Sequence, residues 1–159
     1  MSKIERFEDL KSWQKARQLA NVIYSLSADG SFSHDYELRS QIRRAVGSAM
    51  HNIAEGFDAG TDAEFARFLK MSRRSASEVQ SQLYLALDRN YITEDQLKST
   101  YQLAADVKKL TNGLIIYLIS DQGLTTLDFG LWTLDSGTID HVISHLEPDD
   151  QGVYPAFPR

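Results

Sequence analysis

Seven cations on two neighbouring stretches are the residues of this chain most able to do chemistry. Arg39, Arg43 and Arg44 form one group; Arg67, Lys70, Arg73 and Arg74 form the other. Guanidinium and ammonium groups at helical spacing can contact successive phosphates, which requires positive charge and no sequence code. The alternative is a solvated face whose arginines pair with acids such as Glu37, Glu78 or Glu55. A second candidate is Asn52 with Glu55, an amide close to a carboxylate and so the makings of an acid/base pair in a cleft. No nucleophile with an attendant base accompanies them. The preferred reading of Asn52 and Glu55 is therefore structural, with Glu55 bonding an arginine or the N–H groups at the start of the next helix. A third candidate is imidazole. His51 lies four residues before Glu55, and His141 four before His145, spacings that put two ligands on one helical face. Neither is a Glu-x-x-His pair of a di-iron bundle or a His-Glu-x-x-His of a zinc protease, so no metal is expected. No cofactor is expected either. The stretch from Gly56 to Gly60 is too short for a phosphate loop and follows a helix rather than a strand. No catalytic residue is assigned, and the chain does not read as an enzyme.

These groups need helices to position them. Leu38, Ile42, Ala45, Ala49 and Ile53 recur at three- and four-residue spacing and trace the inner stripe of a helix over 34–55, with the three arginines off that stripe. Ser33 is its candidate N-cap. Gly56 reads as its terminator in the left-handed conformation. Glu55 then opposes the helix dipole and calls for a partner.

Before it, Trp13, Ala16, Leu19, Ala20, Ile23 and Leu26 predict an amphipathic helix over 10–27. After it, Thr61-Asp62-Ala63-Glu64 is a capping box opening a helix over 62–88. That helix buries Phe65, Phe68, Leu69, Ser72, Ala76, Val79, Leu83, Ala86 and Leu87. Thr93-Glu94-Asp95-Gln96 opens a fourth over 94–119, whose inner line is Leu97, Tyr101, Ala104, Val107, Thr111, Leu114 and Leu118. Four such helices with short connections predict an all-α, antiparallel, up-down-up-down four-helix bundle. The end of the last helix is apolar in every direction. Leu114, Ile115, Ile116, Tyr117, Leu118 and Ile119 are accordingly assigned to an oligomer interface, unless the following segment covers them.

Composition supports one bundle and a tail. The net charge of −5 is uneven. Residues 1–119 carry 16 Lys and Arg against 15 Asp and Glu, whereas 120–159 carry only Arg159 against seven acids. The boundary is placed there, and all three prolines lie beyond it. Within the tail, Leu127, Phe129 and Leu131 alternate as in a short strand, and 138–146 reads as a brief helix. Its apolar residues predict docking on the bundle or on a neighbouring subunit. With no cysteine, disulfides and thiolate chemistry are excluded, which agrees with a reducing cytoplasm. No membrane span or signal peptide is read.

Phe7-Glu8-Asp9-Leu10-Lys11-Ser12-Trp13-Gln14-Lys15-Ala16, Gln41-Ile42-Arg43-Arg44-Ala45, Asn52-Ile53-Ala54-Glu55-Gly56 and Glu64-Phe65-Ala66-Arg67-Phe68-Leu69 occur in an order that resembles a known family. It is that of the bacterial four-helix-bundle proteins encoded in intervening sequences of 23S ribosomal RNA genes, related to the accessory variability determinants of diversity-generating retroelements. The resemblance spans about residues 4 to 119. It implies a ring-shaped homopentamer, nucleic-acid binding by a basic exterior and, from the retroelement relatives, a reverse transcriptase as protein partner. Met50 stands where the family often has proline, which predicts a straight second helix. The resulting expectation is an oligomeric scaffold or adaptor that binds RNA or DNA through Arg39, Arg43, Arg44, Arg67, Lys70, Arg73 and Arg74. The alternative is a pure protein-interaction module whose acidic tail meets a basic partner.

Overall fold

Three of the four long helices start where a side chain takes up an N–H group that a first turn leaves free, and the first, which follows Leu10, starts without one. The computed structural model describes residues 4–121, and the strand, helix and docking expected of the tail lie outside them. The described residues form α1 (Lys11–Leu26), α2 (Tyr36–Phe57), α3 (Asp62–Asp88) and α4 (Glu94–Asp121), with short 3-10 turns at Phe7–Asp9 and Ser31–His34. There is no strand among them. Before α4 the expected box is reciprocal: Thr93 Oγ1 accepts from the Gln96 N–H at 3.2 Å, and Gln96 Oε1 accepts from the Thr93 N–H at 2.9 Å. Before α3 it is only half formed. Thr61 Oγ1 accepts from the Glu64 N–H at 3.3 Å, but the Glu64 carboxylate accepts from the Thr61 hydroxyl instead of its backbone.

The second helix departs from expectation at both ends. Its cap is Asp35, whose Oδ1 accepts from the Leu38 N–H at 3.0 Å. Ser33 instead donates back to the Gly30 carbonyl within the preceding turn. At the other end Gly56 does not terminate α2, which continues through Phe57. The left-handed glycine of that connection is Gly60, at φ 82°. Gly56 is buried because α3 passes very close: a Cβ there would lie 2.7 Å from Phe68 Cβ and 2.8 Å from the Phe65 ring. A glycine is needed for the approach of the helices and not for a turn.

The end of α3 is closed by Asn90 at φ 57°. The Tyr91 N–H reaches back to the Ala86 carbonyl and that of Asn90 to Leu87, each at 2.8 Å, the two bonds of a Schellman motif. Tyr91 also stacks on Phe32, and its hydroxyl donates to Asp35 Oδ2 at 3.1 Å, tying the end of α3 to the start of α2.

Contacts run in opposite directions along neighbouring helices. Going up α2, Ser48 pairs with Ser75, Ala49 with Ser72, and Gly56 with Phe68 and Phe65. From α3 to α4, Arg73 meets Asn112 and Gln80 meets Tyr101. Both pairs are antiparallel, and α1 closes the bundle against α2 and α4. The core holds Leu19, Ile23, Ile42, Ile53, Leu69, Val79, Leu83, Val107 and Ile115, all at or near zero exposure. Each aliphatic side chain so buried contributes about 1.5–3 kcal/mol.

Two expectations about α4 change. Tyr101 is exposed, edge-on to Tyr84, and Thr100 takes the inward position beside it. The apolar run of residues 114–119 is covered within a single chain: Leu114, Ile115, Ile116, Leu118 and Ile119 are buried, and Tyr117 is half-buried. Unmet burial there is therefore no argument for an oligomer. Among the described residues no helix is long and apolar enough to cross a membrane.

Candidate nucleic-acid interface

The arginines of α2 are sorted by the end of α1. Ser27 follows its last turn, and the buried Ser27 hydroxyl donates to the Ile23 carbonyl at 2.7 Å. Arg43 Nε donates to that hydroxyl at 2.8 Å and Arg43 Nη2 to the Ser27 carbonyl at 3.0 Å. A cation thus meets the negative end of the α1 dipole, where it is stabilising. One turn earlier, Arg39 Nη1 donates to the Ser33 carbonyl at 2.6 Å. Each guanidinium also lies over a tyrosine, Arg43 at 4.6 Å from the Tyr24 ring centre and Arg39 at 4.9 Å from that of Tyr36. Arg44, next along the chain, is exposed and makes no hydrogen bond or ion pair among the described residues.

On α3 the division recurs. Arg73 is half-buried and donates to the Asn112 carbonyl oxygen on α4. Lys70, one turn away, is also half-buried; burial and then the charge of Arg73 hold its ammonium below the usual lysine range. Arg74 is exposed and unpaired among the described residues, and Arg67 is exposed over the ring of Phe68. The seven cations are thus not one stripe. Arg43 turns to the end of α1, Arg39 to the Ser31–His34 turn and Arg73 to α4; Lys70 is half-buried near Arg73, and Arg44, Arg67 and Arg74 face solvent.

The acids that could have neutralised them are engaged elsewhere or free. Glu37 accepts from Gln41, and Glu78 accepts from Gln82 at 3.1 Å. Ion pairs among the described residues include Arg6–Glu8 and Lys15–Asp106, neither of which involves these arginines. Glu55 does not have the partner expected of it. It is exposed with no hydrogen bond or ion pair among the described residues, because Thr61 already serves the start of α3. Asn52 turns away from it and donates to the Ser48 carbonyl at 2.7 Å and hydroxyl at 3.0 Å. The two do not form a cleft pair. His51 is exposed beside Gly47, and among the described residues no group of three or more His, Asp and Glu gathers as metal ligands. His141 and His145 lie outside them.

Sequence reasoning missed Tyr24 and Tyr36, which are 51% and 68% exposed. The signal was available for Tyr36, three residues before Arg39 on one helix. Tyr24 could be paired with Arg43 only once the fold was known.

The family model of the 23S rRNA-intervening sequence protein matches residues 8–113, from the first 3-10 turn well into α4. The chain belongs to that family. A solved structure similar to this chain is the crystal structure at 1.70 Å of a protein with unknown function from the S23 ribosomal protein family of Bacteroides thetaiotaomicron VPI-5482. It is similar with a TM-score of 0.60 and 25% identity, over 65% of this chain and 97% of that one. No curated protein matches the chain.

Proposed function

We propose that this intervening-sequence protein acts by binding rather than by catalysis, as a homo-oligomeric bundle that holds RNA or DNA without sequence preference. The supporting observation is that Arg44, Arg67 and Arg74 stand exposed while the acids beside them are not paired with them. A guanidinium not already paired keeps its forked donors for phosphate. A few such contacts per chain are weak, and repetition around a ring raises their effect. The pentamer, the reverse-transcriptase partner and a cytoplasmic setting belong to the same proposal and rest on the family resemblance and the absence of cysteine. The acidic stretch at 120–159 favours a second reading, a protein-interaction module that meets a basic partner.

Gel-shift titrations of unrelated RNA and DNA across a salt series separate the two. The double variant Arg44→Ala and Arg74→Ala should weaken all sequences alike and flatten the salt slope by up to about two units. Undiminished binding would move the site elsewhere. No binding at low salt would leave the module reading.

A further inference from the structure

We propose that Tyr24 and Tyr36, with Arg43 and Arg39, form a stacking platform that selects unpaired nucleic acid over duplex. This rests on the nucleic-acid reading above and specifies what that ligand is. Tyr24 of α1 meets Arg43 and Tyr36 of α2 meets Arg39, one turn earlier on the same helix, and both rings are at least half exposed. What sets these two rings apart from other exposed side chains is that each already carries a guanidinium at stacking distance.

The guanidinium groups are not free to swing. Arg43 is held by Ser27 and Arg39 by the Ser33 carbonyl, so the rings and cations are ordered before a ligand arrives. An ordered surface loses less freedom on binding than a mobile one. Donors remain for phosphate: Nη1 of Arg43 and Nε and Nη2 of Arg39 make no hydrogen bond among the described residues. The nearby carboxylates are bonded to neutral donors and pair with neither arginine: Asp35 accepts from the Leu38 N–H and the Tyr91 hydroxyl, and Glu37 accepts from Gln41. Arg39 and Arg43 are one helical turn apart, about 6 Å along the axis, so a strand laid along α2 meets both cations in succession.

A single strand can place its bases on these rings, because any base has a π-face and stacking requires no sequence code. A duplex cannot: its bases are stacked on one another, and only its phosphates and groove edges are available. Tyr84 supplies an internal control. It is as exposed as Tyr24, at 51%, but packs edge-on against Tyr101 and carries no guanidinium among the described residues.

The test uses the full chain and fluorescence anisotropy, with a short unstructured oligonucleotide and the duplex made from it, as RNA and as DNA, at low salt. The single strand should bind at least about fivefold tighter than the duplex, since loss of one stacked base costs about 5- to 150-fold. The double variant Tyr24→Leu and Tyr36→Leu should lose that preference while duplex affinity and salt slope stay unchanged. Tyr84→Leu should keep it, as should Tyr24→Phe with Tyr36→Phe, which retain the rings. Circular dichroism checks that each variant is folded, and Tyr36→Leu alone carries the test if the double variant is not. Equal affinity for strand and duplex, or a preference that survives in the leucine variant, would overturn the platform and leave general nucleic-acid binding standing. Binding to neither would remove both readings.

Discussion

Helix α2 has two sides that use the same residue types in opposite ways. Gly56 and Asn52 turn toward α3, and Arg43 turns toward α1; Gly47, Glu55 and Arg44 turn outward. On the inner side the glycine admits a neighbouring helix, the arginine closes the end of another, and the amide bonds a serine that itself pairs across to α3. On the outer side the glycine meets only the His51 ring at 3.7 Å, and the arginine and carboxylate have no partner among the described residues. Residue type therefore says little about role here. Direction decides it, and direction is a property of the fold.

The two glycines should give the widest contrast. Glycine to alanine inside a helix ordinarily gains about 0.5–1 kcal/mol from lower unfolded-state entropy and better propensity. Gly47→Ala should show that gain, since 3.7 Å to a side chain is ordinary contact. Gly56→Ala should instead lose about 1–3 kcal/mol, because Phe68 Cβ at 2.7 Å is fixed to the α3 backbone and cannot swing aside. Urea denaturation of both variants checks this. A stabilised Gly56→Ala would mean that α2 and α3 do not approach as closely as described.

The adjacent arginines come next. Arg43→Ala removes the donors that serve Ser27 and its carbonyl at the end of α1, in a partly buried setting, and should cost about 1–3 kcal/mol. Arg44→Ala should change stability by no more than about 0.5 kcal/mol, as at most surface positions. Melting curves at matched protein concentration measure both, because an oligomer's stability depends on concentration. Equal losses would show that Arg44 has a partner in the assembled protein. Arg43 is a poor choice for a binding test, since its loss is felt first in the fold.

How much of this was legible in the sequence follows from the range over which each feature is decided. The bounds of α3 at 62–88 were readable because Thr61 caps it locally and its apolar spacing persists for many turns. Ile42, Ala49 and Ile53 were readable as core for the same reason. Gly56 was not, because helix termination and close packing both favour glycine, and only Phe65 and Phe68 on another helix distinguish them. Arg39 and Arg43 looked like Arg44 until Ser33 and Ser27 were brought beside them. Tyr101 was placed inside because an aromatic residue fits an apolar line, although Thr100 is the one turned inward. The run at 114–119 looked uncovered because helical periodicity describes one helix and not what packs around it. Within the candidate interface, the cations were legible as types, while their division into held and free was not.

The smallest contrast is between Asn52 and Glu55. Asn52→Ala loses the bonds to Ser48 and should cost about 0.5–1.5 kcal/mol. Glu55 lies in the last turn of α2, where a carboxylate faces the negative end of the helix dipole, and no partner among the described residues compensates it. Glu55→Gln removes that repulsion and should gain about 0.3–1 kcal/mol at low ionic strength. Added salt distinguishes the mechanisms. The gain at Glu55 should shrink as the Debye length falls to about 3 Å near 1 M, whereas the cost at Asn52, which involves no charge, should persist. A destabilised Glu55→Gln would show that the carboxylate acquires a cationic or N–H partner in the assembled protein, and the outer side of α2 would then be an occupied surface.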